Sequence, residues 1–204
     1  MLAALGSPRN RLLFVAGIYT GFRVHELLSL RFSHVWRGTE PAREITVARQ
    51  QLKGGAGMFA RRVRSRSIAV HPVLRAAIQT YVYSSYPDGN PPPADCLFPS
   101  RHGINQPISG VQAYRIITAA AASAGNSARV GTHSLRKTFA KTIYERSGHD
   151  IILTKRALGH AAISSTARYL ESTDDDVTTA IMGLPSATGL LQVDPQAEPA
   201  CQVG

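Results

Sequence analysis

The chain has 204 residues, 44% of them hydrophobic, and a formal net charge of +10 from 23 Lys and Arg against 13 Asp and Glu. That hydrophobic content excludes a wholly disordered chain, and the length fits one domain, or one domain with a tail. Cys96 and Cys201, the only cysteines, lie far apart and form no disulfide framework or zinc-ligand spacing, and no apolar run or N-terminal signal pattern marks a membrane or secreted protein.

The cationic excess favours a polyanionic partner, because each neutralised phosphate releases counterions. Most of the cations are Arg; the lysines are Lys53, Lys137, Lys141 and Lys155. Arg grips a phosphate with a planar fork, whereas Lys can give up a proton, so a Lys isolated among arginines draws notice.

Along the chain, residues 10–19 have helical spacing through Leu12, Leu13, Val15 and Ala16, broken by Thr20-Gly21. Helical spacing resumes over 24–30. Residues 44–49 and 66–70 alternate as strands, separated by a turn rich in Gly and Arg, and predict an antiparallel hairpin. His71-Pro72 opens a helix to about Tyr86, and Ser109 caps one through Ala124 that Gly125 ends. Thr132 or His133 starts another, ended by Gly148. Asp150 caps a short helix ended by Gly159, and Ser164 caps one expected to carry Tyr169. Asp174 to Asp176 begin a last short helix with an apolar stripe of Val177, Ile181 and Leu184. The reading is α+β, mainly α: a helical domain over 1–184 with a small antiparallel sheet near the N-terminus, and a disordered tail over 185–204.

Three segments concentrate polar groups beyond what a core requires: Thr20 to Leu27, Thr132 to Arg136, and Leu158-Gly159-His160 with Tyr169 nine positions on. Breaking a phosphodiester calls for a nucleophile, fixed cations on the non-bridging oxygens and a proton donor for the leaving oxygen. Two Arg, two His, one Lys and one Tyr supply those parts. His133 and Arg136 are three apart, hence on one helix face.

In these residues the chain resembles the catalytic domain of the tyrosine recombinase (phage integrase) family. Thr20-Gly21-Phe22-Arg23-Val24-His25-Glu26-Leu27 is similar to the family's first box, His133-Ser134-Leu135-Arg136 to its HxLR box, and Leu158-Gly159-His160 with Tyr169 to its LGH box and nucleophile. Each box alone is weak; their order and spacing are specific. The resemblance implies a site-specific recombinase or integrase that cleaves and rejoins DNA through a covalent 3′-phosphotyrosyl intermediate, with no metal and no cofactor. It implies Tyr169 as nucleophile, Arg23 and Arg136 as the phosphate clamp, and His133 assisting proton transfer. His160 would bond a non-bridging oxygen, Lys53 protonate the leaving 5′ oxygen, and Glu26 support Arg23 from behind. The turn from Lys53 to Arg66 is longer than the family's usual one. Arg61, Arg62, Arg64 and Arg66 are expected along the DNA backbone; the bland reading is a charged strand edge. The family's usual N-terminal core-binding domain is expected to be absent. The expected partners are double-stranded DNA and copies of the chain itself, in a tetrameric synapse on DNA and as a monomer without it. The expected location is cytoplasmic, on a bacterial nucleoid or from a phage or mobile element.

Taken singly, each residue has an ordinary structural reading: a surface ion pair for Arg23, a packed core side chain for His160 or Tyr169. The rival functions are DNA relaxation like that of a type IB topoisomerase and a non-catalytic DNA-binding remnant.

Overall fold

The computed structural model describes residues 3–48, 65–126, 130–167, 169–170 and 182. The chain divides into two units, Met1–Leu170 and Glu171–Gly204; every helix and strand named below belongs to the first. Lys53, Arg61, Arg62 and Arg64 lie outside the described residues, as do the expected helix from Asp174 with its stripe and the expected tail.

Helix α1, Pro8–Thr20, starts where Ser7 Oγ accepts the Asn10 N–H at 3.3 Å and Pro8 presets the first turn. It buries Leu12, Leu13, Val15 and Ala16, each large side chain contributing about 1.5–3 kcal/mol. Gly21 ends it in the left-handed region, at φ 56°. Short helices α2, Val24–Leu28, and α3, Phe32–Val35, follow. A two-residue hairpin comes next, β1 (Trp36–Arg37) against β2 (Glu40–Pro41).

The expected antiparallel hairpin is present as β3, Glu44–Val47, and β4, Arg66–Ala69, with Ile45 opposite Ile68 and Val47 opposite Arg66. Helix α4, Pro72–Ser85, is capped by His71, whose Nδ1 accepts the Val73 N–H at 3.2 Å, and packs on α1 through Leu74, Ile78, Tyr81 and Val82. Helix α5, Gly110–Ser123, begins at Ser109, whose Oγ accepts the Gln112 N–H at 3.1 Å. Helix α6, Thr132–Arg146, lies so close to α1 that a Cβ on Gly17 would stand 2.5 Å from Leu135 Cδ1. Asp150 Oδ1 caps α7, Ile151–Leu158, by accepting from Ile152 and Leu153 at 2.7 and 2.9 Å.

Helix α8, Ile163–Ala167, departs from expectation. Ser164 lies inside it rather than capping it, and it stops short of Tyr169, which sits in the turn beyond with its N–H on Thr166 O at 2.9 Å. Branched and hydroxyl-bearing residues in Ile-Ser-Ser-Thr are poor helix formers, and the chain tightens into an i to i−3 turn at the end. Tyr169 is half-buried against a small cluster of Phe139, Ala140 and Leu158.

Candidate active site

The first polar segment is held as a rigid turn. Thr20, fully buried, donates its hydroxyl to Ala16 O at 2.6 Å and accepts the Phe22 N–H at 3.1 Å. Gly21 fits because a Cβ there would lie 2.2 Å from the Phe139 ring on α6. The turn delivers Arg23 to the start of α2. Glu26, 0% exposed, receives it: Oε2 accepts the Arg23 N–H at 2.7 Å, and Oε1 accepts its Nη1–H at 2.9 Å. Glu26 thus lies against Arg23, and Arg23 keeps 27% of its side chain exposed.

Arg136, on α6, is 1% exposed. It donates to Gly21 O from Nη1, and from Nη2 to Leu158 O at 2.9 Å and to His160 Nε2 at 2.8 Å. Gly159, at φ 65°, turns the chain after α7 and brings His160 into place, 7% exposed. The Tyr169 ring centroid is 5.5 Å from that of His160 and 5.8 Å from the Arg136 guanidinium carbon. A cavity of about 230 Å³ opens between Arg23, His133, Arg136 and their neighbours Phe22, Val24, His25 and Thr132. His133 itself is exposed. Five of the six expected catalytic residues therefore fall around one place, and Lys53 lies outside the described residues.

Arg66 corrects the sequence reading. It was expected on DNA; it points inward, 7% exposed. Its Nη2 donates to Thr20 O at 2.6 Å and to Ala157 O, its Nη1 is 3.8 Å from Glu26 Oε2, and its guanidinium lies 4.6 Å from the Phe22 ring centre. The reason is strand alternation: Arg66 opposes buried Val47 and lies two residues before Ile68, which opposes buried Ile45. That two-residue phase was the available signal.

Arg66 and Arg136 explain how buried charge is tolerated. Helices α1 and α7 both end here, and the carbonyls of Thr20, Gly21, Ala157 and Leu158 lack partners within their helices. The two guanidiniums cap them, at the negative ends of both helix dipoles. Burial still disfavours the charged forms. It brings Arg66 down to about 9, with Arg136 adding to the effect and Glu26 opposing it. It also lowers Arg136, helped by Arg23 and opposed by Glu26 and Tyr169. Arg66, at about 9, stays cationic near neutral pH. His160 is pushed from 6.5 to about 4, first by burial and then by Arg136, Arg23 and Arg66. Three guanidiniums around one buried carboxylate leave a cationic excess that an anion would offset. Among the described residues, the buried Nε–H groups of Arg66 and Arg136 have no hydrogen-bond partner. Among the described residues, no group of three His, Cys, Asp or Glu is arranged to hold a metal, and no helix is long and apolar enough to cross a membrane.

The phage integrase family model matches residues 3–176. The chain is 32% identical over 174 residues to the probable integrase/recombinase YoeC of Bacillus subtilis, covering 85% of this chain and 83% of that protein. It is 29% identical over 171 residues to the tyrosine recombinase XerH of Helicobacter pylori, covering 82% of this chain and 42% of XerH. A crystal structure of XerH bound to its difH substrate before cleavage superposes with a TM-score of 0.62 at 22% identity, over 87% of this chain and 49% of that one, and shares the fold.

Proposed function

The chain belongs to the phage integrase family, and on that premise we propose that it is the catalytic part of a site-specific tyrosine recombinase. In this reading a scissile phosphate of double-stranded DNA enters the cavity beside Arg23 and Arg136. Their forks neutralise its non-bridging oxygens as charge shifts in the transition state. His160 adds a hydrogen bond, and Glu26 keeps Arg23 aimed. The Tyr169 hydroxyl gives its proton towards His133 and attacks phosphorus in line. The bond to the 5′ oxygen breaks as the 3′-phosphotyrosyl bond forms, and the released 5′ oxygen takes a proton from Lys53. The reverse step by another 5′ hydroxyl rejoins a strand, with bond energy conserved in the phosphotyrosine.

The observation that carries this reading is the approach of the Tyr169 ring to both Arg136 and His160 within one unit, 5.8 and 5.5 Å away. The decisive experiment uses nicked suicide duplexes with randomised flanks, from which a 5′ fragment escapes after cleavage. The wild-type chain should form a protein–DNA adduct that maps to Tyr169. Tyr169→Phe should bind the same duplexes and form none, since only the nucleophilic oxygen is gone. An adduct with the Phe variant would refute the assignment. Pairing of two sites in a tetrameric synapse belongs to the same proposal. Sedimentation of a selected duplex with the chain should then show four protomers per two sites, and a monomer without DNA.

A further inference from the structure

Thr166 touches two members of the site in different ways. Its Oγ1 lies 3.0 Å from His160 Nδ1, and its carbonyl accepts the Tyr169 N–H at 2.9 Å. It is fully buried, at 0% exposure. The other ring nitrogen of His160, Nε2, faces Arg136 Nη2 at 2.8 Å. A guanidinium can only donate. Nε2 must then carry the lone pair, Nδ1 the proton, and Thr166 Oγ1 must accept it. Burial and the surrounding cations, Arg136, Arg23 and Arg66, keep the ring from protonating on both nitrogens, against the pull of Glu26.

We propose that Thr166 is a positioning residue whose hydroxyl holds the Nδ1 side of the His160 ring, accepting the proton that Arg136 places there, while its main chain ties that ring to the turn carrying Tyr169. The inference rests on the proposed function for its consequence. When a phosphate draws Arg136 away, His160 must donate from Nε2 to a non-bridging oxygen. One proton leaves Nδ1 and one arrives at Nε2 through solvent, with no net uptake. A hydroxyl suits that exchange because it both accepts and donates. It accepts from Nδ1–H in the empty site and donates to Nδ1 once the proton has moved. A carboxylate at this position could only accept and would hold the proton on Nδ1; a Val would offer nothing.

The test labels the seven histidines with nitrogen-15 and reads ring tautomers from two-bond nitrogen–proton spectra, the His160 signals being assigned by their loss in His160→Gln. In the free wild-type protein His160 should be neutral with its proton on Nδ1; a proton on Nε2 overturns the proposal without any variant. Thr166→Val, nearly isosteric, should leave Nδ1–H without its acceptor, shifting the His160 ring resonances, and slow adduct formation on the randomised suicide duplexes by about tenfold, the scale of one lost hydrogen bond. Thr166→Ser should restore the ring resonances, and the rate to within about threefold. A cooperatively folded Thr166→Val that forms adducts at the wild-type rate sinks the positioning role. If that variant does not fold, the wild-type tautomer and the Ser variant still decide. A wild-type chain with Nδ1–H that forms no adduct would count against the proposed function alone and leave the hydroxyl's hold on the ring supported.

Discussion

Replacing Glu26 with Gln removes the carboxylate on which the cationic cluster is organised. The Glu26 side chain is fully buried, accepts from Arg23 N and Nη1 at 2.7 and 2.9 Å, and lies 3.8 Å from Arg66 Nη1. Gln keeps the shape and one acceptor oxygen. Its second terminal atom becomes an NH2 facing donors, and three guanidiniums are left without a compensating carboxylate. Hydrogen bonds to charged groups contribute about 1.5–3 kcal/mol each, and breaking a buried pair costs about 3–5 kcal/mol. Because Arg23 is 27% exposed, water screens its share, so the lower end applies, about 3 kcal/mol. For a unit of this size that corresponds to a melting point lower by roughly 6–12 °C. Adduct formation per folded molecule should fall at least about tenfold, because Arg23 loses its anchor. Melting by circular dichroism, at low and high salt, and single-turnover adduct formation measure the two effects. A midpoint within about 2 °C of wild type would refute the reasoning, since it would mean that the carboxylate does not hold the cluster together.

Arg136→Lys should slow adduct formation by about 100-fold or more, because a single ammonium cannot serve Gly21 O, Leu158 O and a phosphate together; wild-type rates in the Lys variant would dismiss the fork. Gly21→Ala should destabilise the fold by about 2–5 kcal/mol in denaturant titration, combining left-handed strain with overpacking against the Phe139 ring, 2.2 Å from the added Cβ, and a change under about 0.5 kcal/mol would contradict it. His160 is held at about 4 in the folded chain against 6.5 ordinarily, so the unfolded chain binds its proton first as pH falls. The stability from the neutral ring is complete above about 6.5 and lost on going down to about 4, up to about 3 kcal/mol. The stability gap between wild type and His160→Gln should therefore shrink over that window, and a gap independent of pH would show that the ring titrates normally.

Much of this protein was legible in order along the chain. Capping residues act on neighbours within one turn, so His71, Ser109 and Asp150 mark helix starts, and Gly21 and Gly159 mark ends that need a left-handed residue. The alternation over 44–49 and 66–70 predicts the hairpin, and the resemblance of the boxes around Arg23, His133, Arg136, His160 and Tyr169 implies the chemistry. The tertiary structure decided what depends on which faces meet. Arg66 belongs to a run of arginines in sequence, yet its register opposite Val47 turns it inward to cap two helix ends, one 46 residues before it and one 91 residues after it in the chain. Thr166 looks like one more hydroxyl in a weak helix until the turn after Gly159 brings His160 against it. The helix expected to carry Tyr169 ends before it. Local pattern fixes elements because helix and strand hydrogen bonds and caps span few residues. Partners for buried charges come from distant segments, and only the packing of α1, α6 and α7 brings those carbonyls, guanidiniums and rings together.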